Sequence, residues 1–216
     1  MRRSLLLGSI ASSSAAALAA YDAALLARPR VVKALTGGGL AFLGDLNAQR
    51  LEVWGRNRLR SEAERAQAPP ERMVFDARRS FAFTTIGAYW TGLFNHEWYN
   101  LLERRLPMAG GGWPRVAAKV AMAQLIVNPF MYLPVFYLWT GLVLRRSLKD
   151  TQDKAKREYW AMLQATWLVL GSANVVMFSV MPVRFQAVFM CGVSFIYQNI
   201  LSLLANADRA TTRKDE

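Results

Sequence analysis

Charged residues along the 216-residue chain are bunched, and between the bunches lie uncharged, apolar stretches at 80–96, 120–144, 159–183 and 185–207. Each is near or above the roughly 18 to 20 residues that a helix needs to cross a bilayer. The pattern predicts an all-α fold, a multispanning transmembrane helical bundle with about four to five membrane helices. Residues 21–207 read as one such domain and residues 208–216 as a charged, frayed tail. The first twenty residues, with two arginines, several serines and no acid, read as a targeting segment or an extra span.

Between the first helices, Pro29 lacks the amide that would continue a hydrogen-bond ladder, so a break is predicted there. From Val31 the chain can continue as one helix to Arg50 and supply a further span. Residues 51–77 read as a long polar connection around Pro69-Pro70, and 110–114 as a turn. Pro129 and Pro134 sit inside the third apolar stretch, where each frees a carbonyl that must find another partner, and a kink is predicted. The segment RRSLKDTQDKAKRE reads as a basic connection, and MPVRF as a tight turn.

The stretch KALTGGGLAFLGDLNAQR holds the first candidate site. At about 100° per residue, Gly37, Ala41, Gly44 and Ala48 fall on one stripe, a small-residue face that lets a second helix approach closely. Asp45 and Gln49 lie beside that stripe, whereas Leu35, Phe42 and Leu46 cluster further round. An ionised carboxylate at membrane depth costs about 2.5 to 3.5 kcal/mol on insertion scales, so Asp45 is expected to meet a cation or water. Gln124, Asn128, Asn174, Gln186, Gln198 and Asn199 also interrupt apolar stretches. They either line an aqueous path or join helices by hydrogen bonds. The pathway or interhelical candidates are thus Asp45, Gln49, His96, Gln124 and Asn128.

The formal net charge of +12 changes this picture little. Arg78, Arg79, Lys119, Arg145 and Arg146 flank apolar stretches, which points to membrane-surface charge meeting anionic headgroups, not to nucleic acid. Lysine and arginine counts place the connections around 50–79 and 145–158 on one side, the cytosol or the mitochondrial matrix. Catalytic chemistry finds few materials. There is one histidine, His96, and one cysteine, Cys191, and Thr36-Gly37-Gly38-Gly39 lacks the Gly-Lys-Ser/Thr of a phosphate loop. Neither an enzyme nor a metal or cofactor site is expected. His96-Glu97 reads as a titratable pair at a pathway mouth or, the simpler reading, as an interfacial histidine hydrogen-bonded at a helix end.

The run Tyr21, Leu25, Pro29, Lys33, Thr36, Gly38, Leu40, Gly44-Asp45, Gln49 resembles the opening of the peroxisomal 22-kDa membrane protein family, which includes mitochondrial inner-membrane relatives of the Mpv17 type. Asp76, Arg79, Gly92, His96, Trp98-Tyr99, Leu102 and Pro107 resemble its second block, and Lys119, Gln124 and Pro129 its third. Trp167, Phe178, Pro182 and Leu201-Ser202 agree with the last. The chain departs from the family pattern at Leu93, at Ala123 and Gln186 where the family carries charges, and at Leu170-Gly171 and Met177.

The resemblance implies a multi-pass organelle membrane protein of the mitochondrial inner membrane, alternatively the peroxisome, with channel-like activity for small solutes. The alternative is a non-conducting scaffold that assembles partners through its basic loops. Its surroundings would be the lipid bilayer and, as a homo-oligomer or in a membrane complex, other subunits.

Overall fold

The computed structural model describes residues 16–58, 60, 67–109 and 111–212, so residues 1–15 of the proposed targeting segment and 213–216 of the tail lie outside it. Among the described residues there are six helices and no strand. Helix α1 is Ala16–Ala27, α2 Pro29–Arg58, α4 Gly112–Val143, α5 Leu148–Val180 and α6 Val183–Thr212. Between α2 and α4 lies α3, which consists of Ala77–Tyr89, a more widely wound π segment Trp90–Phe94, and Asn95–Arg105.

Helix α2 occupies the centre, with α3 on one side and α6 on the other, and the α4–α5 hairpin packs across α3 and α6. Ala77–Tyr89 of α3 contacts Leu133–Val143, so the connections before α3 and after α4 lie at the same end of the bundle. Helices α4 and α5 are each long and apolar enough to cross a membrane. Only 33% of the apolar window of each is buried, and Leu125, Phe130, Leu138, Leu142, Leu168 and Val180 face outward. That is the distribution a lipid-facing helix requires, because hydrocarbon replaces the protein core as the apolar partner.

Local signals explain where the helices start and stop. Asp76 caps α3, its carboxylate accepting the Arg79 amide at 3.0 Å, and Ser147 caps α5 in the same way through the Asp150 amide at 3.0 Å. Gly112 opens α4 with φ of +55°, a left-handed conformation that costs glycine nothing, and Pro114 follows in the first turn. Two polar segments expected as connections are helical instead. Helix α2 continues past Arg50 to Arg58 because Glu52, Arg56 and Asn57 find partners in the returning chain, Arg79 for the first and Glu71 for the other two. The basic segment after α4 likewise becomes the first turns of α5, with Lys154 and Glu158 paired one turn apart at 3.6 Å.

The prolines of α4 do not act through a simple kink. From Met122 to Tyr132 the helix winds as a π-helix, with amides reaching five residues back. In that register Pro129 leaves the Gln124 carbonyl without its amide, and Pro134 leaves that of Pro129. Both carbonyls are taken up by α5. The Trp167 indole donates to the Gln124 carbonyl at 2.8 Å, and the Tyr159 hydroxyl donates to the Pro129 carbonyl at 2.7 Å. An unpaired carbonyl in an apolar setting costs about 1–3 kcal/mol. Trp167→Phe and Tyr159→Phe should therefore each lower stability by about 1–2 kcal/mol, read as the shift in unfolding midpoint of purified protein in detergent. The double variant should show additive losses, since the two bonds involve separate carbonyls.

Candidate functional site

The small-residue stripe of α2 is the surface on which α3 and α6 converge. Gly37, Gly44 and Ala48 are buried, while Leu35 and Phe42 are exposed. A Cβ on Gly37 would lie 2.6 Å from the Thr91 Cβ of α3, and one on Gly44 would lie 2.6 Å from the Gln198 Oε1 of α6. Ala41 meets Gly87. The stripe thus serves two neighbours, with Gly37 and Ala41 against α3 and Gly44 against α6.

Beside the stripe, Asp45 is only 2% exposed. The Arg79 Nε donates to its Oδ1 at 2.7 Å. Its Oδ2 accepts from the Ser80 hydroxyl at 2.5 Å and from the Gln49 amide at 2.8 Å. The remaining Arg79 nitrogens form a fork onto Glu52, at 2.9 and 3.0 Å. Gln49 completes the connection by accepting the Asp76 amide at 2.9 Å, which ties the capped start of α3 to α2. This is an electrostatic lock, and of the partners posed by the sequence it supplies the cation: Asp45 pairs with Arg79.

Two residues expected at the membrane surface are also turned inward. Arg78, Arg145 and Arg146 are exposed, but Arg79 belongs to the lock and Lys119 is 1% exposed. The Lys119 ammonium pairs with Glu103 at 2.5 Å and sits 5.7 Å from the Phe178 ring centroid. Sequence position alone misassigns them, because a flanking cation goes wherever a carboxylate is within reach. His96 lies within α3, half-buried, with its Nδ1 3.1 Å from the buried Lys33 ammonium. The adjacent Glu97 is exposed and paired with Arg30.

Further along the stripe, residues of α2, α3, α4, α5 and α6 line a partly open cavity of about 110 Å³. Both π segments open onto it. Trp90 and Thr91 come from the first, and Ala123, Val127, Asn128 and Tyr132 from the second. In an α-helix, Ala123 and Tyr132 would face about half a turn apart, whereas the wider winding brings them to one wall. Aromatic rings form much of that wall, with Trp90 4.9 Å from Tyr132 and Phe83 5.7 Å from Phe136, centroid to centroid.

The polar part of the wall is made of amides and hydroxyls, including Asn95, Asn128, Asn174 and Gln198. Asn128 donates to Gln124 Oε1 at 2.6 Å, so Gln124 stands one layer behind the wall. Cys191, also on the wall, donates its thiol to Thr91 at 3.4 Å. Of the candidates read from the sequence, Gly37, Ala41 and Asn128 reach the cavity, while Asp45, Gln49 and His96 do not. Trp90, Thr91, Asn95 and Tyr132 are wall residues that helical periodicity does not select, since the π register moves them. For Tyr132 the two close prolines of α4 are the sequence signal that could have revealed it; the π segment of α3 holds no proline.

Among the described residues, no group of three or more histidine, cysteine, aspartate or glutamate side chains is arranged to hold a metal ion.

The Mpv17 / PMP22 family pattern matches residues 141–202. Similarity to individual proteins extends over most of the chain. Protein SYM1 of Eremothecium gossypii is 30% identical over 186 residues, covering 84% of this chain and 92% of its own. Protein sym1 of Schizosaccharomyces pombe is 28% identical, covering 87% and 89%, and PXMP2/4 family protein 1 of Dictyostelium discoideum is 25% identical, covering 86% and 83%. No solved structure matches the chain.

The lock makes an asymmetric prediction. Arg79→Leu leaves a buried carboxylate without its cation and should cost about 3–5 kcal/mol, whereas Glu52→Gln, which leaves the Asp45 contact in place, should cost about 1 kcal/mol. Unfolding midpoints in detergent measure both. Equal losses would show that Asp45 does not depend on Arg79.

Proposed function

Because the chain belongs to the Mpv17 / PMP22 family, we propose that its helices enclose a pathway for small solutes across an organelle membrane. The setting is the mitochondrial inner membrane, with the peroxisomal membrane as the alternative. The observation that carries this reading is the central cavity, on which two π segments converge. A soluble-type core would fill such a space with side chains, and π segments are frequent at functional sites.

In this reading α2, α3 and α6 cross the bilayer beside α4 and α5, giving five spans. The lock of Asp45, Arg79 and Glu52 holds α2 and α3 together and does not conduct. Arg78, Arg145 and Arg146, which remain exposed, meet anionic headgroups. The protein acts without a cofactor and performs no catalysis. The cavity is lined by residues of one chain, and other subunits would join it in a homo-oligomer or membrane complex.

A second reading, a non-conducting scaffold, draws on the complete internal satisfaction of Asp45 and Gln49, which assigns those polar groups to assembly. Liposomes containing the purified protein separate the two. Under the pathway reading they should reswell faster than protein-free liposomes after a hyperosmotic step in small solutes, and Asp45→Asn should reduce the yield of folded protein without changing which solutes enter. Reswelling no faster than in protein-free liposomes, with folded protein verified in the same vesicles, would remove the pathway and leave the scaffold.

A further inference from the structure

The proposed pathway leaves open whether charge matters to what it takes, and α2 carries the groups that bear on this. The cavity touches α2 from Gly37 to Ala41, and a buried charged residue lies on either side of that stretch, Lys33 before it and Asp45 after it. Each is 2% exposed, but only one of them is balanced. Asp45 holds the Arg79 guanidinium at 2.7 Å. Lys33 has no carboxylate within ion-pairing distance among the described residues, and its Nζ instead meets the His96 Nδ1 at 3.1 Å.

The other charges at this end of α2 cancel. Arg30 pairs with Glu97 across the same α2–α3 contact, and both side chains are more than half exposed. At the start of α6, Arg184 pairs with Asp22 of α1 at 3.1 Å. The lock on the other side of the cavity carries one carboxylate in excess, Glu52. It lies about 16 Å along the helix axis from Ala41 and is 29% exposed, so solvent screens it. Lys33 is one turn from Gly37, about 6 Å along the axis, and is shielded from solvent. No ionised side chain lines the wall among the described residues to oppose its field. A cleft with low-dielectric walls concentrates such a field.

We propose that Lys33 is an ammonium donating to His96 Nδ1, and that its unbalanced charge makes the pathway favour small anions over small cations. This rests on the pathway reading, because it names the class of solute that the same cavity prefers. Lys33 acts at a distance, as a residue that sets selectivity from behind the wall.

Currents through planar bilayers containing the full chain, recorded under a steep potassium chloride gradient, form the test. The two ions are nearly equally mobile in water, so a zero-current potential displaced toward that of chloride reports the protein's own preference. Chloride should be favoured over potassium roughly tenfold, the order expected of one unit charge about 10 Å away at an effective dielectric between those of a protein surface and water. Lys33→Met, which keeps the length of the side chain and removes its charge, should bring the ratio close to unity. Lys33→Arg should keep the anion preference, and Glu52→Gln should leave it unchanged. A merely structural role for Lys33 would alter the number of conducting molecules and not the ratio.

A zero-current potential near zero, or displaced toward that of potassium, in the unaltered protein would overturn the inference while leaving the pathway standing. No current with either ion, alongside reswelling in neutral solutes, would do the same. A chloride preference that survives Lys33→Met would overturn the assignment to Lys33. Neither current nor reswelling, with folded protein verified in the same membranes, would remove the pathway and this inference with it.

Discussion

A carboxylate in the middle of a glycine- and alanine-rich helix has to be neutralised from within the protein, and Asp45 sets much of the geometry around it. Its cation comes from Arg79, one turn into α3, which fixes how far α2 and α3 can slide past each other. Gln49 and Ser80 complete its hydrogen bonding, and Gln49 also holds the capped start of α3. Once that end is pinned, Gly37 and Ala41 bring α3 close, and Gly44 leaves room for Gln198 of α6. The cavity lies between the helices further along, with Trp90, Tyr132, Phe83 and Phe136 on its wall.

The same rule, that a polar group away from water needs a partner, explains the proline-containing helix. Pro129 and Pro134 would disrupt an α-helix exposed to lipid, yet α4 stays continuous because its wider winding directs the two freed carbonyls toward Trp167 and Tyr159. The π register has a second effect, since it turns Asn128 and Tyr132 onto the wall shared with Trp90 and Thr91. Structural repair of the backbone and shaping of the cavity are therefore one feature. Polar atoms that keep no protein partner, such as the Asn174 oxygen, stand out against this background of satisfied groups.

Charge is distributed by the same logic. Lys119 and Arg79 flank apolar stretches and have the sequence context of surface anchors, but both are folded inward against carboxylates that arrive from elsewhere in the chain, Glu103 and Glu52 with Asp45. Of the other flanking cations, Arg145 and Arg146 lie exposed in the turn after α4, and Arg78 is exposed at the start of α3. Net charge therefore says little about where charge sits, since Lys33, Lys119 and Asp45 are all buried.

By itself the sequence determined the helical class, the apolar stretches, the break at Pro29, the small-residue stripe and the position of Asp45 beside it. Each of these follows from local rules: hydrophobic length, the missing proline amide, and the angle between successive residues on a helix. Only the tertiary structure decided that Asp45 meets Arg79, that α2 extends to Arg58, and that Lys119 is buried. It also decided the register of α4, and with it which residues line the cavity. These depend on groups far apart in the chain, such as Gln124 and Trp167 or Asp45 and Arg79, whose pairing no local pattern encodes.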